Sequence, residues 1–381
     1  DRLVVYASNK MLYSISLTKK TKNLISTIQF QSEPKAINYN YSGKDVLILS
    51  FKKEGLFIIY ENSVEYVKNA PSITSMCIHS ERLFATSEGD STELWFSDDF
   101  NPTNWFVSLD EAGYVDLPDE RGKLLKVISF LDYVYVFRSY GISRVTAYGD
   151  QREFSVDNLY NNIGKIYANT VTECGGYVIF LTSSGIYRFN GIDAVKILPF
   201  YDKYLKNANN DSAKGVYYNG KLYLSLNMMI DGKTEEGVVL VYDIENKVSY
   251  LARGLKISDF ELITGSEYQI YAISSDKICK IDKSGRRFNV PLNKVWDSGE
   301  NDYSIDSVKT LEKIKINFNG NIQISIWVDK KLYVYDLQDG QSELLTMLKG
   351  KNFKIKITSR DSSPVIYKPT FYFSYLKEGL W

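Results

Sequence analysis

The sequence predicts an all-β chain: a β-propeller of about seven blades followed by a small β-sandwich-like domain. Three observations predict it. A hairpin pattern recurs seven times at blade spacing, the strand before most of its turns is continuously apolar, and beyond residue 289 both give way to period-two alternation. Composition agrees, with 44% hydrophobic residues and 30 Tyr and 19 Phe against 8 Pro, because aromatic rings suit a half-buried pleated surface. A length of 381 residues exceeds the common domain size of roughly 100–150, which fits one large unit and one small one.

The recurring element is a polar turn, often Ser-x-Gly or a Lys/Glu equivalent, followed by an apolar residue, two variable ones and another apolar residue. Copies occupy residues 9–15, 53–59, 91–97, 139–145, 183–189, 235–241 and 275–281, and their starts lie 44, 38, 48, 44, 52 and 40 residues apart. Such spacing matches one four-stranded blade of roughly 40–50 residues. Apolar strands that end at these turns include 46–49, 133–137, 177–181, 222–226 and 270–273. Each pair reads as a hairpin. Blades on both sides would cover the first strand of the pair, which explains a run without alternation.

Two inserts interrupt the rhythm. One is 106–122, carrying Asp110, Glu111, Asp116, Asp119 and Glu120; the other is 199–212, where Pro199 to Leu205 reads as a short helix with Pro at its start. Residues 1–290 are therefore assigned to the propeller and 291–304, rich in Asn, Asp, Ser and Gly, to a linker. Residues 305–381 form the C-terminal all-β domain, with alternation at Ile314, Ile316 and Phe318, at Ile322 to Val328, at Phe353 to Ile357, and at Phe371 to Tyr375.

Charge and cysteine content exclude several classes. The 46 basic and 46 acidic residues cancel; residues 305–381 hold 12 Lys/Arg and 8 Asp/Glu, or +4, leaving −4 for 1–304. No basic stripe points to nucleic acid or anionic membrane. Cys77, Cys174 and Cys279 are far apart, without a CxxC or a neighbouring histidine that would complete a zinc site, and read as buried small hydrophobes. No membrane-spanning segment is expected, since no apolar run reaches about 18 residues. The first residues lack a signal-peptide layout, and without an initiator Met an upstream segment is expected.

Chemistry is sparse. The single histidine, His79, falls near the end of a strand in which Met76 and Ile78 are expected to take the buried face, so it reads as a strand-edge polar residue and not a catalytic base. No GxSxG, HExxH or P-loop occurs. Asp297, Glu300, Asp302 and Asp306 lack the order of a calcium loop and read as a solvated linker. The run Ser97-Asp98-Asp99-Phe100-Asn101-Pro102-Thr103-Asn104-Trp105 resembles the aspartate box of sialidase-type propellers, with Asn101 in place of the Gly and the Trp one residue late. No triplet of arginines accompanies it. Trp95 and Trp105 suit either a sugar-binding surface or packing between blades. No catalytic, cofactor-binding or metal residue is assigned.

Arg82-Leu83-Phe84-Ala85-Thr86-Ser87, followed by Glu93 through Trp105, resembles a signature that recurs in phage and prophage structural proteins. The resemblance continues in Trp296-Asp297-Ser298-Gly299, in Phe353 to Ile357 and in Phe371 to Phe373; it covers the third blade and the C-terminal domain, and the other blades by architecture alone. It implies a tail-tube or nozzle component of short-tailed phages: a non-enzymatic scaffold in the virion, without cofactor. Such a scaffold would form a homo-oligomeric ring with other phage tail proteins, and DNA would pass without sequence-specific binding. A bacterial surface or secreted propeller binding glycan or protein is the alternative, and a sialidase-like glycosidase a third.

Overall fold

The computed structural model describes the chain apart from residues 1, 17, 61–62, 89–91, 109–110, 161, 265–267, 276, 282–285, 288–289, 292, 360–364 and 376–381. It divides into two units, Asp1–Lys280 and Ile281–Trp381. Ser91, Asp110 and Asp276 lie outside the described residues.

Among the described residues the first unit holds seven sheets, each an antiparallel meander of strands consecutive in sequence. Blade 1 has β1 (Arg2–Tyr6), β2 (Leu12–Ser16) and β3 (Lys22–Ser26). Blade 2 has β4 (Lys35–Tyr41), β5 (Lys44–Phe51), β6 (Gly55–Tyr60) and β7 (Ser63–Val67). Blade 3 has β8 (Ile73–His79), β9 (Arg82–Ser87), β10 (Glu93–Phe96) and β11 (Gly113–Asp116). Blade 4 has β12 (Leu124–Phe130), β13 (Tyr133–Arg138), β14 (Ile142–Thr146) and β15 (Ser155–Tyr160). Blade 5 has β16 (Thr172–Glu173), β17 (Val178–Thr182), β18 (Gly185–Phe189) and β19 (Ala194–Ile197). Blade 6 has β20 (Lys214–Tyr218), β21 (Lys221–Ile230), β22 (Lys233–Asp243) and β23 (Val248–Ala252), and blade 7 has β24 (Ile257–Thr264), β25 (Tyr268–Ser274) and β26 (Lys277–Lys280).

The first strands of successive blades touch, as β4 does β8, β8 does β12, and β20 does β24, so these strands line the axis. All seven repeat copies fall on the third blade position; in blade 1 that strand is β2, because β3 packs against the outer strand β7. The chain is thus a seven-bladed β-propeller followed by a sandwich.

Why the second strand of a blade is continuously apolar is visible side chain by side chain. In β13, Val134 and Val136 pack toward blade 3 with Phe84 and Phe96, whereas Tyr135 and Phe137 pack toward blade 5 with Phe180 and Phe189. In β17, Val178 and Phe180 face blade 4, whereas Ile179 and Leu181 face Leu222 and Leu224 of blade 6. Both pleat directions end in an apolar interface, so neither can be polar.

Three expectations are corrected. Residues 106–122 are not simply an insert: β11 is the outer strand of blade 3, pairing with β10 from Glu93↔Asp116 to Phe96↔Gly113. An outer strand with Asp116 exposed carries no apolar run that would mark it in the sequence. In β8, Ile78 is exposed while Cys77 and His79 are buried, since an inner strand is covered by both neighbouring blades and does not alternate. Residues 291–304 are not a linker throughout, because β29 (Val295–Asn301) is an edge strand of the second unit. Its polar sequence and a bulge between Asp297 and Glu300 conceal it. The short helix is present, as a 3-10 turn at Pro199–Tyr201 leading into α1 (Asp202–Leu205).

In the second unit, β27 (Arg286–Arg287) and β28 (Val290–Pro291) pair with each other. Beyond them come β30 (Lys309–Lys315), β31 (Ile322–Val328), β32 (Lys331–Leu337), β33 (Glu343–Gly350), β34 (Phe353–Ser359) and β35 (Thr370–Tyr375). They form two sheets, ordered β29-β34-β31-β32 and β33-β30-β35. The alternating Ile322, Ile324, Ile326, Phe353, Ile355 and Ile357 of the first sheet meet Leu311, Ile314 and Leu348 of the second. Period-two burial in β31 and β34 gives a two-layer core.

Candidate functional site

The segment 82–105 folds as an interlocked turn. Buried Arg82 points out of β9 into the loop that joins β10 to β11, where its Nη1 donates to the carbonyls of Ser97 (3.1 Å) and Glu111 (2.5 Å). Its Nε lies 2.7 Å from Asp99 Oδ1. Ser97 Oγ accepts from Leu83 N at 3.0 Å and donates to the Asp98 carbonyl at 3.0 Å. Asn101 Oδ1 accepts from Thr103 N, Asn104 Nδ2 donates to Glu111 Oε2, and Trp105 Nε1 donates to the Pro102 carbonyl at 2.9 Å. Trp105, 2% exposed, packs with Met76 and Ala85 in the interface of blades 2 and 3. Asp98 and Asp99 are therefore committed to holding a loop. Trp95 lies tilted against Tyr114 with ring centroids 5.1 Å apart, and the burial of Trp105 removes it as a sugar platform.

A second buried arginine locks the next blade. Arg138 of β13 donates from Nε and Nη2 to the Gly122 carbonyl (2.9 and 2.8 Å) and from Nη2 to that of Leu117 (2.7 Å), with Asp119 Oδ1 2.8 Å from Nη1. Burial works against the Asp119 carboxylate, but the Arg121 backbone N–H and the Arg138 and Arg121 guanidiniums outweigh it and hold its pKa below the usual range.

The remaining candidates are dispersed. His79 Nδ1 is 2.8 Å from Ser129 Oγ on β12, its ring packs edge-on against Phe84, and burial lowers its pKa. This arrangement joins two blades, and among the described residues no carboxylate hydrogen-bonds the His79 ring to orient it. Burial pushes the Cys77 and Cys174 thiols up to about 12, which makes them inert hydrophobes; none of the three cysteines forms a disulfide, and Cys279, on the edge strand β26, is half-buried and not buried as expected. Asp297 pairs with Lys354 at 3.3 Å and Asp306 with Lys351 at 2.8 Å, while Asp302 accepts from Ser304 N. Among the described residues no group of three or more His, Cys, Asp or Glu could hold a metal ion.

What the ring does bring together is a set of polar side chains at the start of the inner strands. Lys35 of β4 donates to Asn169 Oδ1 at 3.2 Å, although 134 residues separate them. Lys214 of β20 lies 2.7 Å from Asp259 Oδ2 on β24 and 4.0 Å from Glu33 Oε2. Lys126 of β12 joins them from blade 4, on a strand that touches the 3-10 turn Ala168–Thr170 holding Asn169. Burial first, and then the neighbouring charge of Lys214, hold the Lys35 ammonium below its usual pKa; burial and then Lys35 do the same to Lys126. Glu261, on the same face of β24 as Asp259, is open to water yet walled by protein, and its carboxyl is pushed up to about 7 by burial and Asp259 against the pull of Lys214. Farther along the inner strands, between blades 5, 6 and 7, a cleft of ≈ 480 Å³ is lined by Glu173, Val216, Tyr217, Leu262 and Tyr268 among others.

One face of the propeller carries the turns between first and second strands and between third and fourth. On that face Phe100, Phe106 and Val107 of blade 3, Leu131 and Tyr148 of blade 4 and Ile192 of blade 5 are exposed. Their loops adjoin: Gln151 Nε2 donates to the Ser108 carbonyl at 2.7 Å, and Tyr135 Oη donates to the Gly191 carbonyl at 3.1 Å beside Leu131.

No family model matches the chain, and no curated protein does. Among solved structures it is similar to that of BBS1N in complex with ARL6DN, with TM-score 0.48 and 11% identity over 73% of this chain and 85% of that one. Among the described residues no helix is long and apolar enough to cross a membrane.

Sequence reasoning missed the axial cluster because its members lie tens of residues apart, one or two per blade. The available signal was the lysine at position 126, which interrupts the apolar run of β12.

Proposed function

We propose that the chain is a non-enzymatic structural component of a phage tail, a scaffold whose propellers assemble into a ring around the DNA path within the virion. The observation that carries the scaffold reading is the band of exposed apolar side chains, Phe106, Val107, Leu131, Tyr148 and Ile192, across three consecutive blades on one face. Monomeric proteins rarely leave such a band uncovered, and contiguous apolar patches mark interaction sites. Buried Arg82 anchors the blade 3 loop beneath it through the Ser97 and Glu111 carbonyls, which lets an exposed loop keep one shape for docking. A heterologous contact between copies closes a ring when its rotation permits, and other tail proteins would use the remaining rims.

The assignment to a phage tail rests on the resemblance of residues 82–105, whose residues in this chain build the loop that displays Phe100 and Phe106. A propeller of mildly acidic balance would let DNA pass without holding it; tight binding of DNA at low salt would sink that part. Sedimentation velocity tests the docking face. Wild type should associate as concentration rises, and Phe106→Asp with Tyr148→Asp should remain monomeric at the same concentrations with unchanged thermal stability. Equal association of both proteins would overturn the assignment of this face.

A second reading, a binding propeller on a bacterial surface, is favoured by the aromatic cleft of Tyr217 and Tyr268, since stacked rings suit a sugar face. Its test is a glycan-array signal that Tyr268→Ala abolishes.

A further inference from the structure

We infer that the axial mouth of the propeller is an oxyanion site, in which Lys35 and Lys126 grip the oxygens of a phosphate or carboxylate group. The argument is one of charge compensation. Lys214 has its own carboxylate, Asp259, at 2.7 Å. Lys35 reaches only a neutral acceptor, the Asn169 amide oxygen at 3.2 Å. Lys126 has no hydrogen bond or ion pair among the described residues; its electrostatic neighbours are the like-charged Lys35 and the thiol of Cys77. Of the other acids at this mouth, Glu33 is 4.0 Å from Lys214 and largely in solvent, and burial and Asp259 hold Glu261 toward its neutral form; among the described residues neither forms an ion pair with Lys35 or Lys126.

An ammonium withdrawn from water, with a like charge as its neighbour, costs free energy unless a counter-charge approaches it. The fold keeps Lys35 and Lys126 in place regardless, since both project from inner strands fixed by the packing between blades. The Lys35 ammonium is further held by the Asn169 amide oxygen at 3.2 Å. An oxyanion with at least two oxygens satisfies both, and the Asn169 Nδ2 amide and the Lys214–Asp259 pair supply a polar wall at which further oxygens or hydroxyls could be bound. The ligand chemistry has two sources: a small free anion, or a carboxylate side chain that a partner inserts along the axis. This site is independent of the docking face, so the two proposals fail separately.

The experiment is isothermal titration of the full chain, at fixed ionic strength set with chloride, with inorganic phosphate in one arm and a tetraglutamate peptide in the other. Saturable binding of either at one site per chain is expected. Lys126→Met should weaken it by about 10- to 100-fold, the loss of one charge-assisted hydrogen bond, and should raise the melting temperature of the ligand-free protein because the repulsion of Lys35 is gone. A purely structural lysine would lower that temperature on substitution. Binding of phosphate alone identifies a free anion, and binding of the peptide alone a partner carboxylate. The inference is overturned if neither saturates, or if Lys126→Met binds as wild type does.

Discussion

Removing the buried guanidinium of Arg82 is the sharpest perturbation of the loop that the sequence signature describes. Arg82→Met keeps an unbranched apolar stem beside Phe96 but deletes two hydrogen bonds, to the Ser97 and Glu111 carbonyls, and the ion pair to Asp99. A hydrogen bond from a charged donor is worth about 1.5–3 kcal/mol, so the two carbonyl bonds together amount to about 3–6 kcal/mol. The ion pair adds little, because the Asp99 carboxylate is half exposed and such pairs contribute about 0–1 kcal/mol. Asp99→Asn should therefore cost less than about 1 kcal/mol. Urea unfolding followed by tryptophan fluorescence, to which buried Trp105 contributes, should show a large fall in midpoint for Arg82→Met and a small one for Asp99→Asn. Limited proteolysis should also cut Arg82→Met between residues 97 and 112 first. Equal costs for the two variants, or a cost below about 1 kcal/mol for Arg82→Met, would refute the claim that carbonyl capping holds this loop.

Two further predictions concern pH. Burial depresses the pKa of His79 in the folded state below its unfolded value of 6.5, so the folded protein disfavours the proton. Stability is fully present above pH 6.5 and falls as pH drops below it; His79→Gln should flatten the melting temperature between pH 6.5 and 5, and an unchanged slope would count against the assignment. Glu261 has the opposite sign, because its folded pKa of about 7 lies above the unfolded 4.5. Its contribution is lost as pH rises from 4.5 through 7, so Glu261→Gln should raise the melting temperature more at pH 8 than at pH 5. Identical shifts at the two pH values would show that the carboxyl titrates normally.

The propeller was legible in the sequence because its second and third blade strands are the ones most completely enclosed. Ile48 and Leu49 of β5 serve opposite interfaces, as do Val136 and Phe137 of β13, and enclosure on both sides leaves an unmistakable apolar run. Outer strands do not leave one: β11 reads as an acidic loop since Asp116 and its neighbours meet solvent. Edge strand β29 reads as a linker for the same reason. Alternation exposed the C-terminal sandwich at β31 and β34, whereas β32 and β33, with Leu332, Val334, Leu345 and Met347 exposed, gave no clean period. The axial set of Lys35, Lys126, Asn169, Lys214 and Asp259 is a product of ring closure, and no local pattern encodes it.

The claim that this propeller is a scaffold acting through its surfaces meets its most direct test in electron microscopy of the purified full chain over a range of concentrations. The account predicts closed rings of identical subunits in which the turn face of blades 3–5 lies at the subunit contact. Dispersed monomers at every concentration, or rings whose contacts leave Phe106, Tyr148 and Ile192 in solvent, would contradict it.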